Sequence, residues 1–371
     1  MLDFILETDP FETKEFAKSV RKFASAELNS DGFNRADFDK MAKLGLAGMS
    51  ISDKNSGSDV GALSIASCIF ETARSQLGPA IYLSVHCMVS KLVDQWSDKH
   101  STELKELAEG KSLGAFCLTE AGAGSDAKSI STTAEKKSGN WILNGEKIYI
   151  TSAGHADLYL VFAKTGSEEI SAFLIRKDAK GLSFGPSEKK MGAEGSPIAS
   201  VKFDNCEIPE SSLVGKQGEG YKIALSGLNG GRINIAAAAC GIASTAISLA
   251  LEHAKDRKQF GKTISDFQGI QFMFADMMSS LRASVLLTRE AAAGLERGEK
   301  ENWPASIAKC FSTDSAMKIT TDCVQILGGA GYLSDYKVEK LMRDAKMLQI
   351  VEGTNQIQRV IISRSLLEMG T

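Results

Sequence analysis

The stretch "WILNGEKIYITSAGHADLYLVFAKTG", residues 141–166, differs from the rest of the chain in its short runs of β-branched and aromatic residues. Asn144-Gly145 separates two of these runs, and this dipeptide is a strong signal for a hairpin turn. The segments "ISAFLIRKD", "LSFGPSEKK" and "IASVKFDNCEIP" continue the pattern. We therefore predict a small, barrel-like β domain over residues 113–213.

The residues on either side of this stretch repeat apolar side chains at helical spacing. Near the N-terminus the repeat runs through Phe16, Val20 and Phe23. Beyond residue 220 a longer stripe runs through Phe267, Ile270, Phe274, Met277, Leu281 and Val285. The pattern predicts a mostly α, α+β multidomain fold, with a helical domain over residues 1–112 and a second helical domain over residues 214–371.

The composition is that of an ordinary globular protein. Of the 371 residues, 43% are hydrophobic and 24% are charged, and a net charge of -3 favours neither nucleic acid nor an anionic membrane as a partner. The longest uncharged run, residues 233–251, is rich in Ala, Ser and Thr and predicts a buried helix that packs closely on its neighbours. The start of the chain shows no leader, so we expect a bacterial cytoplasmic protein or a processed protein of the mitochondrial matrix.

Several classes of site are disfavoured by spacing. Seven cysteines form no C-x-x-C pair and predict reduced, buried thiols. The histidines His86, His100, His155 and His253 are far apart and predict no metal centre. No G-x-G-x-x-G follows a predicted strand, and no G-x-S-x-G occurs, which argues against a Rossmann nicotinamide enzyme and against an α/β-hydrolase.

Glycine-bearing segments leave two interpretations open. Residues 116–126, 227–232 and 325–332 could let a backbone approach a phosphate or a flat ring, or could simply form turns. The basic patch "RKQFGK", residues 257–262, could complement a helix dipole or hold a pyrophosphate.

Glu352 stands between Val351 and Gly353 in "VEGTNQIQ". Burial beside an apolar side chain would raise the pKa of this carboxyl and make it a stronger base. The alternative is that Glu352 caps a helix beginning near Thr354. These residues alone favour the cap.

In this order, the segments "CLTEAGAGSD", "NGEKIYITSAG", "RKQFGK" with "DFQGIQ", "QILGGAGY" and "EKLMRDAKMLQIVEGTNQIQR" resemble the acyl-CoA dehydrogenase family of FAD enzymes over essentially the whole chain. The resemblance implies a helical domain, a middle β domain and a C-terminal four-helix domain. It also implies an FAD shared between subunits of a homotetramer and an acyl-CoA substrate, with electron-transferring flavoprotein as the acceptor.

The resemblance also implies which residues meet the cofactor. Residues expected along the flavin are Phe116, Leu118, Thr119, Gly124, Ser125, Tyr149, Ile150, Thr151, Thr354 and Gln356. Residues expected to reach the FAD of a neighbouring subunit are Arg257, Gln259, Phe260, Phe267, Gln268, Gln325, Gly328 and Gly329. Tyr149 stands where many relatives carry tryptophan, and its ring can still stack on a flat cofactor.

By the same resemblance, Glu352 abstracts the α-proton of the thioester while its N–H polarises the carbonyl, and the β-hydrogen leaves as hydride to the flavin. Some branches of the family carry the base directly before the arginine that corresponds to Arg232, but that position here is Gly231. Ser125, Asn229, Arg232 and Gly353 are the expected substrate contacts, although Arg232 could instead fix the start of its helix.

Residues 227–236, 188–192 and 362–367 look most like isobutyryl-CoA dehydrogenases of valine breakdown, so we expect a short or branched short-chain acyl-CoA. Two alternatives remain within the fold: an acyl-CoA oxidase that passes electrons to oxygen, and a non-catalytic scaffold. An acyltransferase that uses a cysteine is disfavoured because no Cys-His pair is readable.

Overall fold

The computed structural model describes residues 4, 6–7, 9–28 and 32–368. It confirms the mostly α, α+β architecture, with helices at both ends and strands between them. The N-terminal helices are α1 (Phe11–Glu27), α2 (Arg35–Lys43), α3 (Ala62–Ser75), α4 (Leu77–Trp96) and α5 (Ser101–Ala108). The C-terminal helices are α6 (Gly220–Asp256), α7 (Gln268–Glu296), α8 (Trp303–Leu327), α9 (Val338–Leu348) and α10 (Asn355–Glu368).

Within the described residues, eight middle strands form one sheet with the order β6-β7-β3-β2-β4-β5-β8, and β1 pairs in parallel with β4. These strands are β1 (Gly114–Cys117), β2 (Thr133–Lys137), β3 (Asn140–Thr151), β4 (Leu158–Lys164), β5 (Ile170–Arg176), β6 (Leu182–Phe184), β7 (Ile198–Pro209) and β8 (Leu213–Val214). Between α6 and α7, the short strands β9 (Lys258–Gln259) and β10 (Lys262–Thr263) form a separate hairpin.

The predicted turn at Asn144-Gly145 is wrong. Both residues lie inside β3, where the pairing with β7 is irregular and the Asn205 N–H donates to the Asn144 Oδ1 at 2.8 Å. The hairpin turn between β2 and β3 lies instead at Ser138-Gly139, where both residues have positive φ, 52° and 86°. The Asn-Gly signal therefore marks a bulge in a long strand, because pairing with β7 outweighs the local preference.

Helix α6 contains the long uncharged run. Its length and composition would allow it to cross a membrane, but 83% of its most apolar 18-residue window is buried inside the fold. A Cβ at Gly241 would stand 2.6 Å from the backbone oxygen of Phe70, so this glycine is needed for the close approach of α3. The apolar surface of α6 is used in helix packing, as the small residues predicted.

A buried ion pair supports the loop between β1 and β2. The Lys147 side chain is fully buried, and its Nζ donates to a Glu120 oxygen at 2.7 Å and to the Leu118 carbonyl at 3.1 Å. Glu120 also accepts hydrogen bonds from the N–H groups of Ser131 and Thr132. Burial opposes ionisation of Glu120, but the charge and hydrogen bond of Lys147 outweigh it and lower the pKa of Glu120 to about 2. The pair fixes the residues that follow β1.

We expect Lys147→Met to lower the free energy of unfolding by about 3 to 5 kcal/mol, because it leaves the buried Glu120 without its counterion. Urea denaturation would measure this loss. Lys136→Met is the matched control, since Lys136 on the neighbouring strand pairs with Glu210 at the surface, where a pair contributes at most about 1 kcal/mol. Equal losses in the two variants would contradict a structural role for the buried pair.

Candidate active site

Glu352 lies in the loop between α9 and α10, in an unusual backbone conformation. Glu352 and Gly353 both have positive φ, 56° and 86°. Glycine adopts this region freely, whereas a side chain with a Cβ is held there at a cost of about 1 to 3 kcal/mol. Residues held in such strained conformations concentrate at functional sites, so the backbone supports a functional role for this loop.

The loop is held by side chains from two helices. From α10, the Gln358 Nε2 donates to the carbonyl oxygens of Glu352 at 3.1 Å and of Gly353 at 2.9 Å. From α8, the Lys309 Nζ donates to the Gly353 carbonyl at 3.0 Å and to the Asn355 Oδ1 at 2.8 Å. These bonds fix two successive carbonyl groups and thereby the direction of the Glu352 side chain.

The carboxylate of Glu352 is packed against a position without a side chain. A Cβ at Gly231 of α6 would stand 2.7 Å from the Glu352 Oε2 and 2.8 Å from its carboxyl carbon. The residue as a whole is partly exposed, but Oε2 is shielded from solvent and has no hydrogen-bond partner among the described residues.

This environment changes the chemistry of the carboxyl group. Burial raises the pKa of Glu352 to about 7, and the positive charges of Arg232 and Lys309 limit the rise. A carboxylate in this range is a much stronger base than an exposed one, and half of it is ionised near neutral pH. The group can therefore accept a proton from a weak carbon acid held beside it.

The alternative role of Glu352 as a helix cap is not what the structure shows. Helix α10 begins at Asn355, and its first turn is capped by Thr354, whose Oγ1 accepts from the Ile357 N–H at 3.3 Å. Arg232 does not fix a helix start either, because α6 begins at Gly220. The Arg232 side chain is buried, and its Nη1 donates to the Asn229 Oδ1 at 3.2 Å.

A cavity of about 510 Å³ adjoins this position, between α4, α6 and the residues that lead into α3. Gly230 and Gly231 form part of its wall, and Met88 and Leu92 of α4 supply apolar side chains. Glu352 itself does not line the cavity, so Gly231 is the residue that the carboxylate and the cavity share.

A second surface is formed by the residues after β1 and the end of β3. Tyr149 is 61% exposed and has a φ of 56°, and a Cβ at Gly124 would meet no atom within 4 Å. The backbone here is anchored, because the Ile148 N–H donates to the Thr119 carbonyl at 2.9 Å. Ser125 is exposed. This surface offers an aromatic face and an open glycine turn to a flat ligand.

The other predicted residues of this surface differ in what they can offer. The side chains of Leu118 and Ile150 are buried, so only their backbone groups can meet a ligand. Phe116 is half-buried and packs on Phe162, with ring centroids 4.9 Å apart. Thr151 is half-buried at the end of β3.

A third group of predicted residues lies around the β9–β10 hairpin and at the end of α8. Exposed positions are Arg257, Gln259, Phe260 and Gln268 around the β9–β10 hairpin, and Gln325, Gly328 and Gly329 at the end of α8. Phe267 is half-buried and packs edge-to-face with Phe260. Gln356 is exposed on α10. Among the described residues, no hydrogen bond or ring contact joins the hairpin or the α8 end to the other two surfaces.

Sequence reasoning missed the residues that hold the loop, namely Lys309, Asn355 and Gln358. All three are buried. The segment "ASIAKC" places Lys309 among small and apolar residues of a helix. No pattern distinguishes it from a lysine that points into solvent.

Comparison with known proteins identifies relatives over the whole length. Family models match for the acyl-CoA dehydrogenase N-terminal domain at residues 10–116, the middle domain at 115–206 and the C-terminal domain at 218–367. An acyl-CoA dehydrogenase of Bacillus subtilis is 43% identical over 365 residues, which cover 94% of this chain and 96% of that protein. A mitochondrial isobutyryl-CoA dehydrogenase of Dictyostelium discoideum is 38% identical and covers 95% of this chain and 86% of that protein.

Solved structures share the fold. Butyryl-CoA dehydrogenase from Megasphaera elsdenii superposes with a TM-score of 0.94 at 36% identity, over 98% of this chain and 100% of that one. The FAD complex of PigA superposes with a TM-score of 0.93 at 28% identity, over 98% of this chain and 99% of that one.

We expect the Glu352 carboxyl group to titrate near pH 7, because burial favours its protonated form. Infrared difference spectra between the wild type and Glu352→Gln would isolate its carboxylic acid C=O band. The band should be present below pH 7 and disappear as the pH rises through that value. A band already absent at pH 5 would contradict the raised pKa.

Proposed function

The chain belongs to the acyl-CoA dehydrogenase family and is an oxidoreductase, and on that premise we propose that it converts a short or branched short-chain acyl-CoA, such as isobutyryl-CoA, to the 2-enoyl-CoA. The observation that carries this proposal is the Glu352 carboxyl, which has a pKa of about 7 and lies against Gly231 in a strained loop. Such a group suits abstraction of an α-proton from a thioester.

The surface around Tyr149 fits FAD, the cofactor found in the PigA complex. Tyr149 presents an exposed ring that can stack on a flavin, and the open turn at Gly122 and Gly124 leaves room for a ligand to approach the backbone. We assign Phe116, Thr119, Ser125 and Thr151, with the backbones of Leu118 and Ile150, to the same site. When bound, FAD supplies the acceptor for the β-hydrogen, which leaves the substrate as hydride.

Glu352 would perform the proton transfer. Its carboxylate accepts the α-proton, and the electron pair left on the α-carbon forms the new double bond as the β-hydride leaves. The N–H of Glu352 donates no hydrogen bond within the described part of the chain, so it is available to polarise the thioester carbonyl. The base and the hydrogen-bond donor to the thioester carbonyl thus both belong to Glu352, and Gly353 next to it lets the thioester pass.

Gly231 supports the choice of Glu352 as the base. A side chain at this position would occupy the space of the Glu352 carboxylate, so the two positions exclude each other. Because the base stands at residue 352, residue 231 has to be small.

The short or branched acyl chain is supported by the relative and by the cavity. The isobutyryl-CoA dehydrogenase of Dictyostelium discoideum matches nearly the full chain. Met88 and Leu92 line the cavity beside Gly231 and suit an aliphatic acyl group. We assign Asn229 and Arg232 to the substrate side of α6, where they contact each other. We place this activity in valine breakdown.

We further propose electron-transferring flavoprotein as the acceptor and a homotetramer as the working form. The exposure of Arg257, Phe260 and Gly328 supports a role for these segments at the FAD of a neighbouring subunit. Gln356 and Thr354 belong to the flavin side of the α10 start in the same proposal.

We expect the protein in a bacterial cytoplasm or a mitochondrial matrix, as its bacterial and mitochondrial relatives suggest.

The activity is tested by the flavin spectrum of the purified protein. Isobutyryl-CoA added without oxygen should bleach the flavin band of the wild type, and it should leave Glu352→Gln oxidised because the amide cannot accept the proton. Butyryl-, 2-methylbutyryl- and octanoyl-CoA would then rank the acyl groups. A flavin that stays oxidised with every acyl-CoA would overturn the reaction, and a preference for octanoyl-CoA would overturn the short-chain assignment.

Gly231→Ala should separate stability from activity. Alanine raises helix stability by about 0.5 to 1 kcal/mol relative to glycine, but its methyl group would stand 2.7 Å from the Glu352 Oε2 and displace the carboxylate. We therefore expect a thermal midpoint at or above that of the wild type and a kcat lowered by about tenfold to a hundredfold.

Gly230→Ala is the matched control for this variant. It adds the same methyl group one residue earlier on α6, where a Cβ meets no atom within 4 Å. Because Gly230 lines the cavity assigned to the acyl group, its methyl group should raise KM, but it does not touch the carboxylate, so kcat should fall less than in Gly231→Ala. Equal losses of kcat at 230 and 231 would mean that the contact with Glu352 is not the cause.

A further inference from the structure

Lys309 is a buried lysine whose hydrogen bonds go to uncharged groups. Its side chain in α8 has no exposed surface, and its Nζ donates to the Gly353 carbonyl and to the Asn355 Oδ1. Buried lysines are rare unless they are paired with a carboxylate, because removal of the ammonium group from water is costly. No ion pair within 4.0 Å forms at Lys309 in the described part of the chain, so its burial requires another explanation.

We propose that Lys309 is a positioning residue for Glu352: its hydrogen bond to the Gly353 carbonyl holds the loop in its left-handed conformation, and its charge keeps the Glu352 carboxylate available as a base near neutral pH. This inference rests on the proposed function for its catalytic meaning. The contact and the burial that carry it do not depend on that function.

The geometric part follows from the hydrogen bonds of the loop. The Gly353 carbonyl accepts from both Lys309 and Gln358, whereas the Glu352 carbonyl accepts from Gln358. Lys309 also holds Asn355, the first residue of α10, through its Oδ1. One ammonium group therefore connects α8 to the loop and to the start of the next helix.

The electrostatic part depends on which charges face the carboxylate. Two cations act on Glu352, Arg232 from α6 and Lys309 from α8, and both lower the pKa of Glu352 against the effect of burial. Burial in turn lowers the pKa of Lys309 to about 8, and Glu352 is the first of the anionic groups that oppose this fall, before Cys310 and Asp314.

Asp314 does not take the place of Glu352 as the partner of Lys309. Its carboxylate accepts from Arg359 at 2.6 Å, from Gln349 at 2.7 Å and from the Asn355 Nδ2 at 2.7 Å. Cys310 is a buried thiol whose raised pKa keeps it neutral near pH 7, and Arg232 repels Lys309. The charge of Lys309 is thus left to act on Glu352, although the two groups form no ion pair within 4.0 Å in the described part of the chain.

Three substitutions separate the two effects. Lys309→Met removes both the hydrogen-bond donor and the charge, Lys309→Gln keeps a donor without a charge, and Lys309→Arg keeps a charge and donors. Lys318→Met is the control, because Lys318 lies on the same helix at the surface and pairs with Asp322.

Two measurements are made on each variant: the infrared titration of the Glu352 carboxyl and the pH dependence of kcat/KM. Removal of a nearby positive charge makes ionisation of a carboxyl harder, so its midpoint moves to higher pH. We expect Lys309→Met and Lys309→Gln to raise both midpoints by about one pH unit. Lys309→Arg and Lys318→Met should stay near the wild-type midpoint. Lys309→Met should also lower the pH-independent kcat more than Lys309→Gln does, because it lacks the donor to Gly353.

The outcomes distinguish this inference from the proposed function. If the wild type oxidises acyl-CoA but no variant at residue 309 moves either midpoint, the charge role of Lys309 is wrong. If the wild type shows no acyl-CoA activity but the variants at residue 309 still shift the infrared midpoint of Glu352, the effect of Lys309 on Glu352 is supported and the proposed function is overturned. If Lys309→Met does not fold, the Gln and Arg variants decide by the same comparison, and equal midpoints in those two would overturn the inference.

Discussion

Close packing around the small side chains of α6 determines where the other elements can lie. Along its buried length α6 presents Gly231, four consecutive alanines at residues 236–239, and Gly241. At Gly241 the backbone of α3 approaches to a distance that no side chain would permit, and at Gly231 the Glu352 carboxylate does the same. Helices α3, α4, α7 and α8 all pack on α6. Because interiors are close-packed, a methyl group added at these glycines has to move either a helix or the carboxylate.

The active-site loop combines two unfavourable features that make chemical sense together. Glu352 has a backbone conformation that side chains rarely adopt, and its shielded Oε2 has no hydrogen-bond partner among the residues that the structure describes. A hydrogen bond to this oxygen would stabilise the charged form and weaken the base. The strain places the carboxylate where such partners are absent, and the hydrogen bonds from Gln358 and Lys309 to the loop carbonyls offset its cost. The loop is thus stabilised by hydrogen bonds to its backbone carbonyls, and the reacting carboxylate takes no part in this.

The order of the helices and strands could be predicted from the sequence because the spacing of apolar residues shows which side chains face the core. Asn144-Gly145 shows the limit of local signals: the dipeptide favours a tight turn, but pairing of β3 with β7 on both sides of it keeps the strand continuous. Glu352 was singled out by its neighbours in the chain, but those residues favoured a helix cap, and its assignment as a base came from the family resemblance. Lys309 was not singled out, since its partners Gly353 and Asn355 are distant in sequence and a helical lysine ordinarily points into solvent. Burial of a charge is a property of the assembled helices, and a sequence pattern does not display it.

Among the residues that the structure describes, two lysines, Lys147 and Lys309, are fully buried, and burial of the same group serves different ends in the two. Lys147 contacts Glu120 directly, and Glu120 also accepts hydrogen bonds from the N–H groups of Ser131 and Thr132. The two charges of this pair neutralise each other, and the pair serves to fix a loop. In the described part of the chain, Lys309 donates hydrogen bonds to two neutral oxygens, and Glu352 is the anionic group that most opposes the fall of its pKa. A direct ion pair there would hold Glu352 ionised at low pH and make it a poor base. Because Lys309 and Glu352 form no ion pair within 4.0 Å among the described residues, their attraction stays weak enough for the proton to be accepted.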